Sequence, residues 1–166
     1  MTVLDIRFFP DPVLKLKTKP ISVFDKTLKK VLDDMAETMY DASGVGLAAP
    51  QVGILQKICV IDVSEKRNDL LFFINPEIIK KDGKVPSEEG CLSIPGYRDT
   101  IDRSNNVVVR AQDLKGDFFE LDAEGLLSIC AQHEIDHLDG VLFIDRLSRL
   151  KRDLFKKWLK KQQESK

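Results

Sequence analysis

The stretch QHEIDHL, residues 132–138, contains both histidines of this 166-residue chain. Apolar residues recur at helical spacing from 124 to 138, which predicts a helix there. Positions i and i+4 share one face of a helix, so His133 and His137 can bind the same metal ion. Glu134 can then act as a general base towards a water molecule at that metal. The alternative is that a short motif has recurred by chance in a helix-compatible sequence.

A catalytic site with two histidines needs a third protein ligand, and the sequence limits where that ligand can lie. Thermolysin-like zinc peptidases take a later Glu, and metzincins take a later His. No His follows His137, and the only later Glu is Glu164 in the polar tail. A small HExxH peptidase is the rival interpretation, and the missing downstream ligand argues against it. The third ligand is therefore expected upstream.

The three cysteines of the chain are predicted to have different roles. Cys91 is the best third ligand, because Gly and Pro in EGCLSIPG (89–96) indicate an irregular, shaped segment; a lone buried thiol is the alternative. Cys59 lies within an apolar strand and is predicted to be a small core residue. Cys130, three residues before His133, is predicted to form a pocket wall. Two imidazoles, one thiolate and an open position are typical of a catalytic site for Fe²⁺ or Zn²⁺.

Composition and charge exclude several classes of protein. The chain is 43% hydrophobic and 32% charged with a net charge of −1, as in one ordinary soluble domain. This balance gives no general argument for nucleic acid. No apolar run approaches the roughly 20 residues of a membrane span, and no signal peptide is expected. An odd number of cysteines argues against a disulfide framework.

Helices towards both ends of the chain, with short strands grouped between them, favour an α+β fold over a doubly wound sheet. A helix is predicted over 25–41, with Asp25 as its N-cap and Ser43-Gly44 at its end. A last helix is predicted over 146–163, docked through Leu147, Leu150, Leu154 and Trp158. Strands are predicted at 57–63, 70–79 (interrupted near Pro76), 101, 107–111 and 118–121. A hairpin turn is predicted at Asp82-Gly83 and a further turn at Lys115-Gly116. Gly140 is predicted to end the helix that precedes it.

The segment GVGLAAPQVG, 44–53, begins with the G-x-G-x-x-A pattern of dinucleotide-binding loops. A helix precedes it where a strand is required, and Pro50 would interrupt the helix that it should open, so nucleotide binding is not expected. The segment is predicted instead to be a loop whose bare backbone approaches a ligand, with Gln51 beside it as an amide donor. An ordinary surface position is the alternative for Gln51.

In their order and spacing, GVGLAAPQVG (44–53), EGCLSIPG (89–96) and QHEIDHL (132–138) closely resemble the three signature motifs of peptide deformylases. The resemblance extends over nearly the whole chain. It implies a single catalytic domain, 1–166, in which antiparallel β-sheets enclose the HExxH helix and a basic amphipathic helix follows at 146–166. It also implies a cytoplasmic, metal-dependent amide hydrolase that removes the formyl group of N-formylmethionyl nascent polypeptides and releases formate.

The resemblance also assigns roles to individual residues. It implies Fe²⁺ as the physiological metal, one ion per chain, which Zn²⁺, Ni²⁺ or Co²⁺ can replace. Glu134 corresponds to the catalytic carboxylate, and Gln51 and the N–H of Leu92 to the groups that stabilise the oxyanion. The metal ligands correspond to Cys91, His133 and His137, and the backbone that pairs with the extended substrate to Val45, Gly46 and Gly90. A monomer that binds neither DNA nor membranes is expected.

A methionine pocket is predicted on the ligand-bearing face of the helix. Leu126, Ile129 and Cys130 precede His133 by seven, four and three residues, so they lie on that face. Since the family acts on formylmethionine, this stripe is expected to receive the flexible thioether side chain. Ordinary core packing is the alternative for all three residues.

The near-zero net charge conceals an uneven distribution along the chain. Residues 146–166 contain nine Lys or Arg and two acids, a net charge of +7, which leaves −8 on the remaining 145 residues. This basic tail has three interpretations. It could be a solvated helix docked on the body, or a membrane-surface helix, although docking would occupy its apolar face. The resemblance implies a third, contact with the ribosome through RNA phosphates.

Overall fold

The computed structural model describes residues 2–165. In that range the chain forms three α-helices and seven β-strands, with short 3₁₀ helices at Pro12–Lys15, Ala49–Val52 and Phe143–Arg146. The α-helices are α1 (Lys26–Asp41), α2 (Gly125–Leu138) and α3 (Arg149–Glu164). The strands are β1 (Gly46–Ala48), β2 (Ile58–Ile61), β3 (Leu71–Asp82), β4 (Val85–Cys91), β5 (Ile94–Arg103), β6 (Asn106–Gln112) and β7 (Phe118–Glu124).

The strands form two antiparallel sheets around α2. The larger sheet has the order β1-β2-β3-β6-β7, and β4 pairs with β5 in the smaller one. The helix α2 contacts every strand of the larger sheet. It is also bonded to the smaller sheet, through Glu89 on β4 and Arg103 on β5. This arrangement, with α3 following, confirms the predicted α+β fold class.

The helix α2 is buried on two faces, one apolar and one polar. Ala131, Ile135 and Leu138 pack against the larger sheet in one core cluster, which also contains Cys59 as predicted. The ligand-bearing face holds polar residues that are equally buried, with His137 only 1% exposed. Buried polar groups need partners, so this face must be satisfied by the smaller sheet or by a bound ion. Within residues 2–165, no helix has both the length and the apolar character to cross a bilayer.

The helix α1 follows its sequence signals closely. The Asp25 side chain accepts a hydrogen bond from the Leu28 N–H at 3.1 Å, which confirms it as the N-cap. Leu32, Met35 and Met39 are fully buried against the larger sheet in a second core cluster. The helix ends at Asp41, so the glycine segment that follows starts directly from its C-terminus.

Two predictions about the strands need correction, and a third agrees with the structure. The strand β3 runs through Pro76 to Asp82, because a register shift between Ile74 and Glu77 removes the need for a ladder bond there. The turn at Asp82-Gly83 is not a hairpin, since β3 and β4 lie in different sheets. The segment 89–96 contains the two-residue connection of the β4–β5 hairpin, and the register shift between Glu89 and Cys91 agrees with the irregularity predicted there. The two corrections share one cause, because β3 pairs with β6, which lies far from it in sequence.

The predicted docking face of the last helix is wrong at two of its four residues. Leu150 and Leu154 are 70% and 52% exposed, whereas Phe155 is 3% exposed. Residues 143–146 form a 3₁₀ helix instead, and α3 begins only after Ser148, whose side chain accepts the Lys151 N–H. Phe155 is the buried residue of α3, and Leu147 and Trp158 are the parts of the prediction that do pack inward.

Candidate metal centre and active site

Three potential metal ligands converge below the surface of the chain. The Nε2 atoms of His133 and His137 are 3.3 Å apart, as expected for positions i and i+4 on α2. The Cys91 Sγ lies 3.4 Å from Nε2 of His137. All three ligand atoms lie within 4.8 Å of one another. The residues that the sequence predicts as ligands are therefore brought together, although they come from two separate elements.

The position of Cys91 depends on the β4–β5 hairpin. Cys91 is the last residue of β4 and pairs with Ile94, and the register of the two strands shifts between Glu89 and Cys91. Irregularities of this kind commonly redirect side chains next to functional sites. Leu92 and Ser93 form the connection to β5, so the Leu92 backbone lies directly beside the thiol.

Glu89 determines which nitrogen of His133 is available to a metal. Its Oε1 lies 2.9 Å from Nδ1 of His133, so that nitrogen donates its proton and Nε2 is left with a lone pair. Arg103 donates two hydrogen bonds of 2.8 Å to Glu89 and a third of 2.8 Å to Asp136. Burial alone would raise the pKa of Glu89, but the bonds from Arg103 and His133 outweigh it and lower that pKa to about 2. Glu89 is therefore an anion that orients the ligand.

The site fits a divalent metal by geometry and by charge. Ligand atoms at about 2.0–2.3 Å from a tetrahedral ion are about 3.3–3.6 Å apart, which matches the separations of 3.3 and 3.4 Å. Burial acts to lower the pKa of His133, yet the charge of Glu134 and the bonds with Cys91 and Glu89 raise it well above its usual value. Negative charge around His133 therefore favours a cation at that residue, whereas burial and the charge of His133 lower the pKa of His137 well below its usual value. Two buried polar atoms, His137 Nδ1 and Glu134 Oε1, have no hydrogen-bond partner among the described residues.

Glu134 lies beside the ligands on α2 and is 4% exposed. Burial raises its pKa to about 7, against the opposing charge of His133. Its side chain also borders the glycine segment, because a Cβ atom at Gly46 would lie only 2.5 Å from Glu134 Oε2. Gly46 therefore has to be glycine for the carboxylate to reach the site.

Gln51 is buried and oriented rather than exposed on a surface loop. It lies in the 3₁₀ helix Ala49–Val52 and is 1% exposed. Its Oε1 accepts the Ala48 N–H at 3.0 Å, which turns the Nε2 towards Ser93 Oγ at 3.2 Å and Cys91 Sγ at 3.4 Å. The amide donor is therefore directed at the thiol ligand.

A cavity of about 750 Å³ opens above these groups. It brings together predicted site residues from all three motifs and from the start of α2, while His137 lies beneath its floor. Leu126, Ile129 and Cys130 are among its walls, with Leu126 53% exposed at the mouth. The predicted residues that line it are Val45, Gly46, Gln51, Gly90, Cys91, Leu92, Leu126, Ile129, Cys130, His133 and Glu134.

One wall of the cavity is the edge of β1. Gly46 stands opposite Ile61 of β2, and the Asp62 N–H donates to the Val45 C=O at 2.9 Å. This pattern makes Gly46 and Ile61 a non-hydrogen-bonded pair, so the polar backbone groups of Gly46 point away from β2. Because Gly46 lines the cavity, these groups are available to an extended chain inside it.

The family model for polypeptide deformylase matches residues 3–153. The chain belongs to the peptide deformylase family. A peptide deformylase of Chromobacterium violaceum is 51% identical over 163 residues, which are 98% of each chain. The crystal structure of a peptide deformylase from Legionella pneumophila is 45% identical with a TM-score of 0.92, covering 98% of this chain and 96% of that chain. A peptide deformylase from Synechococcus elongatus in complex with actinonin is 43% identical with a TM-score of 0.85, covering 88% and 81%.

Membership of the deformylase family agrees with the resemblance of the three motifs and makes the chain a metalloenzyme of that family.

The sequence alone assigns no role to Glu89, Ser93 or Arg103. A signal exists for Glu89, because a metal-binding histidine usually donates its other N–H to a carboxylate and Glu89 lies two residues from Cys91. No such signal exists for Arg103, whose pairing with Glu89 depends on the register of β4 and β5.

Proposed function

We propose that this chain hydrolyses the formyl group from the N-terminal methionine of nascent polypeptides and releases formate. The observation that carries the proposal is the convergence of Cys91, His133 and His137 below a cavity that also contains Glu134, Gln51 and an open strand edge. Residues 1–166 act as one catalytic domain.

Cys91, His133 and His137 would hold the metal, which we propose to be Fe²⁺, with Zn²⁺, Ni²⁺ or Co²⁺ able to replace it. The thiolate in the donor set supports a soft or borderline ion, and three protein ligands leave an open position. When bound there, the ion supplies Lewis acidity, which lowers the pKa of water and polarises a carbonyl group.

Glu134 transfers the proton during the reaction. Its carboxylate accepts a proton from the water molecule whose oxygen bonds to the formyl carbon. It then returns that proton to the methionine nitrogen as the C–N bond breaks. Water is consumed, and formate and a free amino group leave. The burial of Glu134 next to His133 supports this role.

Gln51 and Leu92 stabilise the charge that develops on the formyl oxygen. The Gln51 Nε2 and the Leu92 N–H come from separate segments that both line the cavity next to Cys91. The bond from Ala48 to Oε1 of Gln51 fixes the amide before substrate arrives. Donors that are oriented in advance lower the barrier most, and the loss of one typically costs about 10²–10³ in rate.

The peptide binds as an additional strand along β1. The backbone groups of Val45, Gly46 and Gly90 border the cavity and pair with the chain of the substrate. The methionine side chain then lies against Leu126, Ile129 and Cys130, whose apolar surface suits a flexible thioether.

Three substrates test this function against that of a peptidase. The metal-loaded protein is assayed with formyl-Met-Ala-Ser, acetyl-Met-Ala-Ser and unblocked Met-Ala-Ser. We expect formate from the first and no cleavage of the other two. Release of free Ala or Ser from any of the three would favour a peptidase instead.

Anaerobic purification, with metal content and formate release measured for each added ion, tests the assignment of Fe²⁺.

The basic helix α3 is proposed to contact ribosomal RNA. Its exposed lysines support this, because Lys156 and Lys160 face solvent while Phe155 faces the body. Replacing Lys156 and Lys160 by Glu should weaken salt-sensitive co-sedimentation with ribosomes and flatten its salt dependence. The matched control replaces the exposed Lys26 and Lys115 by Glu. Equal binding by both double variants would exclude α3 as the contact.

A further inference from the structure

Residues 43–46 form a wall of the cavity, and two of these four residues are glycines, which contribute no side-chain packing. Gly44 and Gly46 have no room for a side chain: a Cβ atom would lie 2.7 Å from Leu92 Cδ1 at Gly44 and 2.5 Å from Glu134 Oε2 at Gly46. Glycine is also the residue with the greatest backbone freedom. If the edge at Gly46 is to pair with a peptide, other contacts must hold this segment.

Hydrogen bonds to the backbone supply those contacts. The Gly44 N–H donates to the Met39 C=O, and the Val45 C=O accepts from the Asp62 N–H, each at 2.9 Å. The Gly44 C=O accepts from the Nη2 of Arg67, which lies 23 residues further along the chain. Arg67 thus ties the glycine segment to the connection between β2 and β3 with a side chain rather than with a ladder bond.

Arg67 is itself held in one conformation. Its Nη1 donates to the Asp62 C=O at 3.2 Å, and its guanidinium carbon lies 5.0 Å from the centre of the Tyr40 ring. The Tyr40 hydroxyl donates to Asp62 Oδ2 at 2.6 Å, which joins the ring to the same cluster. Arg67 also has a φ of +57°, a conformation disfavoured for residues with a Cβ atom. The surrounding contacts outweigh that cost, so the arginine is placed before any ligand binds.

We propose that Arg67 is a positioning residue for substrate: by holding the Gly44 carbonyl it fixes the Gly46 edge that binds the peptide beyond its formylated residue. This rests on the proposed deformylase function. Arg67 does not line the cavity, so it acts on the binding of the extended chain and not on the reacting atoms. Losing one backbone hydrogen bond to the substrate corresponds to about a fivefold loss of affinity.

The test compares a long and a short substrate on the metal-loaded Arg67→Ala variant. For formyl-Met-Ala-Ser we expect KM to rise about fivefold and kcat to change by less than about twofold. For formyl-methionine amide, which reaches little of the edge, KM should stay within about twofold of wild type. The affinity for the product Met-Ala-Ser, measured by calorimetry, should fall by the same factor as KM rises.

Two further variants complete the experiment. Arg110→Ala is the control, because Arg110 also lies over an aromatic ring, 4.0 Å from the centre of Phe118, and is outside the cavity lining. This variant should leave KM unchanged for both substrates. Arg67→Met keeps an apolar stem over Tyr40 without the donors, and it replaces Arg67→Ala if that variant is unstable. An unchanged KM for the tripeptide, or an equal rise for both substrates, overturns the positioning role. A wild-type protein that releases no formate from either substrate would instead overturn the proposed function.

Discussion

At the scale of single residues, the site combines burial with incomplete pairing. Glu134 and His137 each keep one buried polar atom without a hydrogen-bond partner among residues 2–165. Burying such an atom typically costs about 1–3 kcal/mol. Of the two, Glu134 borders the cavity, where its oxygen is available to a ligand or a water molecule, whereas His137 Nδ1 is the ring nitrogen that does not face Cys91 and His133. This is the local sign that the cluster serves chemistry rather than packing.

Replacement of Glu134 by Gln should separate metal binding from turnover. The amide keeps the volume of the side chain but cannot accept the proton of water. We expect formate release to fall by about 10²–10⁴ while the metal content per chain is unchanged. Glu120→Gln, an exposed change on β7, is the control. Substantial deformylation by the Glu134 variant would remove this residue from the proton-transfer role.

The change Ile129→Asp tests the methionine pocket. A charge on this wall opposes burial of an apolar side chain, so the preference in kcat/KM for formyl-Met over formyl-Ala peptides should fall by about tenfold or more. Ile79→Asp places the same charge at a position that is 44% exposed on β3 and outside the cavity lining. An unchanged preference in the Ile129 variant would place the methionine elsewhere.

At the scale of elements, the smaller sheet is joined to α2 by buried charges. The Arg103 guanidinium is 3% exposed and bridges Glu89 on β4 and Asp136 on α2. Glu89 in turn orients His133. The hairpin that carries Cys91 and the helix that carries both histidines are therefore held in register by one ion network, and ligand geometry depends on it.

Arg103→Ala should lower both stability and metal affinity. It leaves the Glu89 carboxylate buried without its main partner, which typically costs about 3–5 kcal/mol, and metal affinity should fall about 10–100-fold. Chemical denaturation and competition with a chelator measure the two effects. The control is Arg98→Ala on the same strand, whose ion pair with Glu88 is exposed and is worth at most about 1 kcal/mol. Similar losses in both variants would contradict the importance of the buried network.

Asp62, in the connection that follows β2, predicts a pH dependence of stability. Burial would raise the pKa of its carboxyl, but hydrogen bonds from Ser64 and Tyr40 outweigh that and lower the pKa to about 2 from 3.8. A depressed carboxyl pKa stabilises the fold fully above its unfolded value, and this contribution is lost as the pH falls through the folded value. The stability gap between wild type and Asp62→Asn should therefore be largest near pH 6 and shrink between pH 4 and about 2. A gap independent of pH would contradict this.

At the scale of the whole molecule, the basic tail is part of the folded body. Phe155 and Trp158 of α3 pack against Tyr97 of β5, with ring centres 4.8 and 5.0 Å away in edge-to-face and tilted arrangements. Tyr97 also lines the cavity. The outward face of α3 is left with most of its positive charge, so one helix supports the hairpin and presents a cationic surface at the same time.

A pair of neighbouring substitutions tests how α3 is docked. Phe155→Ala should reduce the free energy of unfolding by about 3–5 kcal/mol, since it removes a buried aromatic ring. Leu154→Ala, at a position 52% exposed, should cost less than about 0.5 kcal/mol. Denaturant unfolding of both variants provides the measurement. A larger loss of stability for Leu154→Ala than for Phe155→Ala would support the docking face that helical periodicity predicts from the sequence.

Local signals predicted the helices of this chain well. The cap at Asp25 and the metal-binding face of α2 depend on contacts within a few residues, so they can be predicted from the local sequence. The pairing of the strands was harder to predict from the sequence. The connection at Asp82-Gly83 has the residues of a hairpin, yet β3 pairs with β6 because the partner is chosen by packing across the molecule.

By itself, the sequence determined the type of chemistry: two histidines one helical turn apart, one cysteine upstream and a carboxylate between the histidines specify an open metal site. The tertiary structure alone decided what surrounds and orients that site. Glu89 reaches His133, Arg103 reaches Glu89, and Arg67 reaches the glycine segment across 14 to 44 residues of chain. Residue types and helical spacing are local properties, whereas these bonds depend on strand register and sheet order, which the packing of the complete chain determines.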